Sequence, residues 1–317
     1  MLLERGFFKG INLGGWMSQC DYSEERLDNF IKEEDIAKIA SWGLDHVRLP
    51  VDYNVLENKD GSYKADGFAR IDKALEWCRK NNLNVVLDLH KTAGFSFDAQ
   101  YGESGFFDSD ELQEHFCRLW EELARHYGND PEHIAFELLN EITEPSFIET
   151  WNKISYECIR RIRVIAPDTI ILLGSYWNNA AKAVKDLAAP YDANTLYNFH
   201  CYEPLTFTHQ GAGWLSHILN VEDRFSFEES VTSEEFFEEV FASAIEAAKQ
   251  NNTELYCGEY GMIDVASPED TLKWYQTINR VLEKHGIARA AWTYKEMDFG
   301  ISDARMDNVR EELLKCL

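Results

Sequence analysis

The feature that most constrains the fold is a repeated alternation of short apolar runs with longer amphipathic stretches, which continues to the end of the chain. Several short runs, such as NVVLDL, IAFELL and TIILLG, consist almost entirely of apolar residues. Parallel strands have this character when both faces of their sheet are buried. The alternation therefore predicts an α/β protein with a parallel sheet.

Eight of the short runs are predicted to be strands. They lie at roughly Phe8–Leu13, His46–Val51, Asn84–His90, Ile134–Glu141, Thr169–Tyr176, Thr195–Tyr202, Glu254–Met262 and Arg289–Lys295. Eight strands that alternate with helices are the signature of a closed (β/α)8 TIM barrel. An open doubly wound sheet is the alternative, but it usually carries a GxGxxG turn, and the sequence contains none. We therefore expect a single barrel domain over residues 1–317, with a longer loop at Glu203–Ser233 after strand six.

Two of the helices between the strands carry boundary signals. Leucines and a phenylalanine at helical spacing predict a helix over Ser109–Tyr127 that ends near Gly128. A second helix is predicted to begin with Ser267 as its N-cap and Pro268 in its first turn, and to end near Gly286.

The net charge of −25 excludes whole classes of function. Proteins that bind nucleic acid or anionic membranes present basic patches, so we expect neither partner. Uninterrupted apolar runs of about 18 residues do not occur, so no membrane span is expected. The first residues lack the basic and apolar regions of a signal peptide, which predicts a cytoplasmic protein, or a secreted one if a leader was removed. We expect a monomer.

The seven cysteines are an odd number, form no CxxC motif and are scattered through apolar segments. This distribution is typical of free thiols that pack as small apolar side chains, and not of a disulfide framework. It agrees with a reducing compartment.

Polar and aromatic residues cluster where the predicted strands end. Active sites of TIM barrels lie at the carboxyl ends of the strands. The residues at these positions are Asn12, Trp16, Arg48, His90, Asn140, Glu141, His200, Tyr202, Glu259, Trp292 and Tyr294. Each of them alone has an ordinary structural explanation, such as a solvated loop carboxylate or a core tryptophan. Their occurrence together at one end of the barrel predicts an active site there.

Two of these residues are carboxylates on strands four and seven, Glu141 and Glu259, which would face each other across the barrel mouth. Glycoside hydrolysis needs such a pair, in which one carboxyl protonates the leaving oxygen and the other attacks the sugar or activates water. The two roles require opposite pKa values. We expect Arg48 to keep Glu259 charged, and Tyr202 to donate a further hydrogen bond to it.

Two further side chains are predicted to support the pair. His200 is expected near Glu141, where it would tune the acid. Asn140 is placed to hold a sugar hydroxyl whose hydrogen bond tightens in the transition state.

Other chemistries find less support in the sequence. The GxSxG, P-loop and HExxH motifs are all missing. His200, Cys201 and His209 are conceivable zinc ligands, but neighbouring strand residues point to opposite faces, so we expect no metal site. We also expect no cofactor. A barrel isomerase or aldolase would need a Schiff-base lysine, for which Lys295 on strand eight is the candidate.

Seven segments of the chain resemble glycoside hydrolase family 5, the large cellulase family of retaining barrel enzymes. They are GINLGGW (10–16), HVRLP (46–50), LDLH (87–90), FELLNE (136–141), NFHCYEP (198–204), YCGEYG (256–261) and AAWTYKEMDFG (290–300). The resemblance implies that Glu141 is the acid/base and Glu259 the nucleophile. It also implies a surrounding site made of Arg48, His90, Asn140, His200, Tyr202 and Trp292.

Within the family, the sequence resembles clostridial endoglucanases of the endoglucanase C type, which implies a retaining endo-β-1,4-glucanase acting on β-glucan or gluco-oligosaccharides. FTHQGAGW (207–214) resembles a sugar-binding loop, and Trp214 is the candidate sugar platform on the leaving-group side. Many relatives carry two histidines where this chain has His90 and Lys91. This difference leaves a β-mannanase open as an alternative. An exo-acting β-glucosidase and, in a different class, a non-catalytic carbohydrate-binding barrel are further alternatives.

Overall fold

A computed structural model describes residues 1–98, 100 and 102–317. Its strands are β1 (Lys9–Asn12), β2 (His46–Asp52), β3 (Asn84–Lys91), β4 (Ile134–Glu137), β5 (Ile171–Leu173), β6 (Thr195–Cys201), β7 (Leu255–Tyr260) and β8 (Ala288–Ala291). All neighbouring strands are parallel, and β8 pairs with β1. The predicted TIM barrel is confirmed.

Helices lie between the strands in the order that the prediction requires. They are α1 (Glu24–Asn29), α2 (Glu33–Ser41), α3 (Tyr53–Leu56), α4 (Ala65–Lys80), α5 (Asp110–Tyr127), α6 (Ile148–Ile165), α7 (Tyr176–Asn179), α8 (Leu205–Thr208), α9 (Glu234–Gln250), α10 (Pro268–Lys284) and α11 (Arg310–Leu314). The side chains of Ser109 and Ser267 cap α5 and α10 by accepting backbone hydrogen bonds. Both predicted helices are thus confirmed. Among the described helices, none combines the length and apolar character needed to cross a membrane.

Strand side chains alternate between two apolar layers. On β3, Val85, Leu87 and Leu89 pack outward in the large cluster that includes the helices, whereas Val86 belongs to a separate inner cluster. The inner cluster takes residues from strands around the barrel, including Ala135, Leu172, Leu196, Tyr256 and Ala290. Because side chains on one face recur every second residue, Asp88 and His90 follow Val86 on the inner face of β3. The barrel interior is therefore mainly apolar near the strand starts, where buried His46 contacts the hydroxyl of Tyr256, and polar at the carboxyl end of the strands.

Three strands end three or four residues earlier than predicted. β4 ends at Glu137, β5 at Leu173 and β8 at Ala291. Polar residues predicted on strand ends, among them Asn140, Glu141 and Trp292, therefore lie on the loops just beyond the barrel. These loop positions permit backbone conformations that a strand forbids, and the site uses them.

The segment predicted as the long irregular loop, Glu203–Ser233, contains α8 and two short 3-10 turns at Gly213–Leu215 and Phe227–Glu229. Gln210 holds the loop together, because its side-chain amide exchanges two hydrogen bonds with the backbone of Phe225, at 2.8 and 3.2 Å. These two hydrogen bonds thus connect the first part of the loop to its later part.

Candidate active site

The centre of the site is the fully buried guanidinium of Arg48 on β2, which uses all five of its N–H donors. Nε and Nη2 donate to the two carboxylate oxygens of Glu137 at 2.7 and 2.8 Å. Nη1 donates to Glu259 at 2.6 Å and to the Oδ1 of Asn12 at 2.9 Å. Nη2 also donates to the Oδ1 of Asn140 at 2.9 Å. One side chain thereby fixes residues from β1, β4 and β7 and from the loop after β4.

Glu259 on β7 accepts a hydrogen bond on each carboxylate oxygen. Arg48 binds Oε1, and the hydroxyl of Tyr202 donates to Oε2 at 2.9 Å. The backbone before Glu259 is equally fixed, since Gly258 N–H donates to Asn198 Oδ1 and Gly258 C=O accepts from Asn12 Nδ2, both at 2.9 Å. A Cβ at Gly258 would lie 2.7 Å from that Asn198 oxygen, so a side chain does not fit there. The carboxylate of Glu259 is held in one orientation and keeps donors suited to its charged form.

Glu141 lies in the loop after β4 with a left-handed backbone, at φ 35°. Its Oε2 accepts from Asn178 Nδ2 at 2.9 Å, and its Oε1 lies 2.8 Å from His200 Nδ1. Burial is the main cause that raises the pKa of Glu141, and the bond from Asn178 opposes it. Burial also lowers the pKa of His200 to about 4, so the ring is neutral near pH 7. Asn179 Nδ2 lies 3.4 Å from His200 Nε2, which leaves the ring proton on Nδ1, directed at Glu141.

Asn178 reaches Glu141 because the loop after β5 docks on the loop after β4. The backbone N–H groups of Trp177 and Asn178 donate to the carbonyls of Thr143 and Ile142, at 3.1 and 2.9 Å. Trp177, Asn178 and Asn179 all adopt positive φ, between 51° and 57°. Asparagine tolerates this conformation better than most residues, so the Asn-Asn pair after strand five is a signal that the sequence analysis missed.

The two carboxylates lie close together. One ligand atom each from Glu141, His200 and Glu259 fall within 4.8 Å of one another. This spacing suits a pair at about 5–5.5 Å, in which the second carboxylate attacks the sugar directly, and not a pair at about 6.5–9.5 Å with water between them. Three ligand atoms at this spacing are also compatible with a divalent metal ion. However, both oxygens of Glu259 and of Glu141 already have hydrogen-bond partners in the protein.

His90 and Trp292 form another wall of the site. Their rings stack with centroids 6.0 Å apart and an interplanar angle of 12°. His90 Nδ1 lies 2.7 Å from Asp88 Oδ2, whereas its buried Nε2 has no hydrogen-bond partner among the described residues. Buried Asn140 Nδ2 is likewise without a partner in that part of the chain. These two nitrogen atoms are therefore available to a ligand in the site.

Trp16, predicted as a site residue, lies in the core. It is 2% exposed, its Nε1 donates to the carbonyl of Leu27 at 2.8 Å, and its ring stacks on Trp77. The chain turns after β1, so this indole points toward the outer helices and not into the barrel mouth. Tyr294 is similarly engaged outside the site, since its hydroxyl donates to Asp35 at 2.8 Å. Asn12 supports the site through Arg48 and Gly258, with its amide fully used.

Trp214 lies where the sequence places it, on the loop after β6, and 54% of its surface is exposed. Its ring contacts His209, which in turn lies edge-on against Tyr202, with centroid distances of 6.4 and 5.0 Å. The exposed indole is thus two rings away from Glu259. This exposure speaks against a residue that only packs under its own loop.

Two lysines considered in the sequence analysis are engaged with neighbouring groups. Lys91 is 5% exposed, donates to the hydroxyl of Tyr22 at 2.7 Å and lies 3.7 Å from Asp52. Lys295 forms an ion pair with Asp35 at 3.0 Å. A Schiff-base role for Lys295 therefore finds no support in its surroundings.

Three buried residues of the site escaped the sequence analysis: Glu137, Asp88 and Asn198. Glu137 accepts from both Arg48 and Asn198, and Asp88 contacts His90. A charged or amide side chain on the inner face of an otherwise apolar strand was the available signal, because such groups are rarely buried without a partner. The FELLNE and LDLH segments both show it.

Comparisons with known proteins agree with this geometry. The family model "Cellulase (glycosyl hydrolase family 5)" matches residues 8–298. The chain is 63% identical to Cellodextrinase A of Ruminococcus flavefaciens, over 91% of this chain and 86% of that protein. It is 39% identical to Endoglucanase C of Acetivibrio thermocellus, over 98% of both. Thermotoga maritima Cel5A, solved with mannotriose, superposes with a TM-score of 0.82 at 26% identity and covers all of both chains.

The buried ion-pair cluster predicts a specific stability defect. Arg48→Met should lower the free energy of unfolding by about 3–5 kcal/mol at pH 7, because it leaves buried carboxylates without their cation. Burial already raises the pKa of Asp88 to about 7 and raises that of Glu137. Protonation of such groups favours the folded protein, so the loss should shrink as the pH falls from 7 to 5. Urea unfolding at both pH values measures it.

Arg70→Met is the matched control. Arg70 also pairs with three carboxylates, Glu24, Asp28 and Asp66, but their side chains are between 54% and 75% exposed. Its loss should cost about 0–1 kcal/mol at either pH. An Arg48→Met defect as small as that of the control, or one that does not change with pH, would contradict the description of the cluster.

Proposed function

The chain belongs to glycosyl hydrolase family 5, the cellulase family, and on this premise we propose that it hydrolyses internal β-1,4 bonds of β-glucans and gluco-oligosaccharides with retention of configuration. The observation that carries the proposal is the close pair of Glu141 and Glu259, with different surroundings for each carboxyl. Relatives named cellodextrinase and endoglucanase support the choice of substrate.

Glu141 is assigned the acid/base role, because it is the carboxyl whose surroundings favour the protonated form. Burial raises its pKa, and its neighbour His200 is neutral and adds no positive charge. Glu259 is assigned the nucleophile role, because Arg48 and Tyr202 donate to its two oxygens and stabilise its charge. The site thereby separates the two carboxyls by function.

The reaction proceeds in two displacements. In the first, a Glu259 oxygen bonds to the anomeric carbon while Glu141 transfers its proton to the glycosidic oxygen, and the leaving sugar departs with a new hydroxyl. In the second, Glu141 takes a proton from water, whose oxygen attacks the same carbon and releases Glu259. Two inversions give net retention. We propose that two nitrogen atoms without a protein partner among the described residues, Asn140 Nδ2 and His90 Nε2, bind hydroxyls of the sugar at the cleaved bond.

Substrate preference is tested by product analysis. Barley β-glucan, carboxymethylcellulose, cello-oligosaccharides, glucomannan and laminarin form the panel, since the solved neighbour in complex with mannotriose makes mannose-containing chains a necessary comparison. We expect cleavage of β-1,4-glucans and cellodextrins with early release of internal fragments. Faster hydrolysis of mannan, or release of glucose alone from chain ends, would contradict the endoglucanase assignment.

We further propose that residues 1–317 act as one catalytic domain, as a monomer, in the reducing environment of the cytoplasm. The family match over residues 8–298 and the continuous barrel support a single domain. The cysteines at positions 20, 78, 117, 158, 201, 257 and 316 are all free thiols, which suits a reducing compartment.

The two carboxylates predict different defects when each is changed to glutamine. Both variants should lose about three or more orders of magnitude in kcat/KM on cellopentaose, with unchanged melting temperature. Glu141→Gln should retain the first displacement on a dinitrophenyl cellobioside, because that leaving group needs no proton, whereas Glu259→Gln should not. Glu311→Gln, which changes an exposed residue, is the control. Near-normal turnover of cellopentaose by either variant would overturn the assignment.

Asn178 predicts a shift in the pH profile. Its hydrogen bond stabilises ionised Glu141 and lowers the pKa of that carboxyl. Asn178→Ala should therefore raise the pKa of Glu141 further and move the alkaline limb of kcat to higher pH, because the acid then keeps its proton longer. The acid limb should stay in place. An alkaline limb that stays or moves to lower pH would show that Glu141 is not the acid.

Trp214 predicts a defect that depends on substrate length. An indole that stacks on a sugar ring contributes on the order of 1–2 kcal/mol through burial of apolar surface. Trp214→Ala should raise KM for cellopentaose about tenfold and spare an aryl cellobioside, whose leaving group does not reach the loop. Tyr156→Ala, at an equally exposed aromatic on α6, should change neither. Equal losses on both substrates with a lower melting temperature would mean that Trp214 only packs.

A further inference from the structure

Asp88 is the carboxylate that the Arg48 cluster leaves under-satisfied. Its Oδ2 lies 3.0 Å from Arg48 Nη2, yet both hydrogens of that nitrogen are donated to Glu137 and Asn140. The one hydrogen bond of Asp88 is with His90 Nδ1, at 2.7 Å. Its buried Oδ1 has no partner among the described residues. Unlike Glu137 and Glu259, Asp88 therefore receives no N–H from the guanidinium.

The net negative charge of the Arg48 cluster favours the uptake of a proton. One guanidinium lies among three buried carboxyls within 3.0 Å, on Asp88, Glu137 and Glu259, so full ionisation would leave an excess of two negative charges. The charged and titratable groups that face Asp88 are Arg48 and Asp52 from β2, His90 from its own strand, Glu137 and Glu141 from β4 and its loop, and Glu259 from β7. Most of them are acids. An excess of buried negative charge is costly, and uptake of a proton by the least compensated carboxyl relieves it.

Burial and the neighbouring acids raise the pKa of Asp88 to about 7, against the opposing effect of Arg48. Burial lowers the pKa of His90, so the ring on its own would not be charged near neutrality. Geometry and charge thus agree that Asp88 is the group of this pair that takes up the proton.

The proton decides what His90 offers to a ligand. When Asp88 is ionised, His90 Nδ1–H donates to it, and Nε2 carries a lone pair. When the pair gains one proton, we place the added proton in the 2.7 Å contact between Oδ2 and Nδ1, where whichever atom holds it donates to the other. A proton on Oδ1 would instead leave Nε2 with its lone pair. With the proton in the contact, the ring carries its hydrogen on Nε2 whichever side holds the shared proton. One proton on Asp88 converts Nε2 from an acceptor into a donor.

We propose that Asp88 and His90 share one extra proton in the active enzyme, and that Asp88 acts as a positioning residue by making His90 Nε2 a hydrogen-bond donor to the substrate. The second half of this inference rests on the proposed function, because it takes the unpartnered Nε2 as a sugar contact. The first half concerns the free protein alone. Loss of the shared proton near neutrality weakens substrate binding.

The protonation state is measured without substrate. In protein labelled with ¹⁵N-histidine, with His90→Gln used for assignment, the Nε2 of His90 should give a protonated-nitrogen shift at pH 6 and a lone-pair shift by pH 8.5. In Asp88→Asn this transition near neutrality should vanish, because asparagine takes up no proton. An Nε2 that carries a lone pair throughout in the wild-type protein, or a transition that persists in Asp88→Asn, overturns the proposal. The wild-type titration decides the matter even if the variant fails to fold.

Kinetics test the link to substrate. The KM of the wild-type enzyme for cellotetraose should rise about fivefold or more from pH 6 to pH 8, and kcat should change less. In Asp88→Asn that dependence of KM should be absent. A ring transition by NMR together with a wild-type KM that is flat with pH would refute the donor role of Nε2, although the shared proton would stand. Loss of hydrolysis in Glu141→Gln and Glu259→Gln tests the proposed function separately.

Discussion

The site depends on one buried guanidinium. Arg48 has five N–H groups, and each of them is matched to a carboxylate or amide oxygen supplied by another strand or by the loop after β4. A planar cation with fixed donors imposes geometry on its acceptors in a way that a lysine could not. The orientation of Glu259 is therefore set by the same group that holds Asn140 and Glu137. Because these partners come from distant parts of the sequence, the polar layer can form only when the barrel closes.

The interior of the barrel has an apolar layer near the strand starts and a polar layer near the carboxyl ends of the strands. Residues such as Val86, Ala135 and Leu196 fill the end near the strand starts, and no water-filled channel is needed there. Polar side chains follow two residues later on the same inward faces, as Asp88 does after Val86. They are buried between the apolar layer and the barrel mouth, where charges interact strongly and must be paired. Strong perturbation of ionisable groups at this level of the barrel is the expected result.

The sequence predicted the topology well because parallel strands buried on both faces leave a clear apolar pattern. It placed Glu141 and Glu259 at the same end of the barrel, because the carboxyl ends of all strands of a parallel barrel lie at one end. It failed where three-dimensional direction mattered. Trp16 follows β1 as a site residue would, but a turn of the backbone sends it to the core. Glu137 lies within an apolar run of the sequence, and the structure shows that its side chain is on the inner face of β4, where both of its oxygens accept from Arg48. Asn178 could not be placed, because its contact with Glu141 depends on two loops that dock through backbone hydrogen bonds.

Glu141 and Glu259 lie in one small pocket but have different hydrogen-bond partners. They share His200, whose Nδ1 lies 2.8 Å from Glu141 and 3.6 Å from Glu259, so distance from a common neighbour does not separate them. The donors do. Glu259 receives a cationic donor and a phenol, whereas Glu141 receives a neutral amide and lies against a neutral imidazole. Arg48 is tied to Glu137 on the far side and cannot turn toward Glu141 without breaking that pair. The different contacts of the two glutamates therefore depend on the orientation of Arg48, which two hydrogen bonds to Glu137 hold in place.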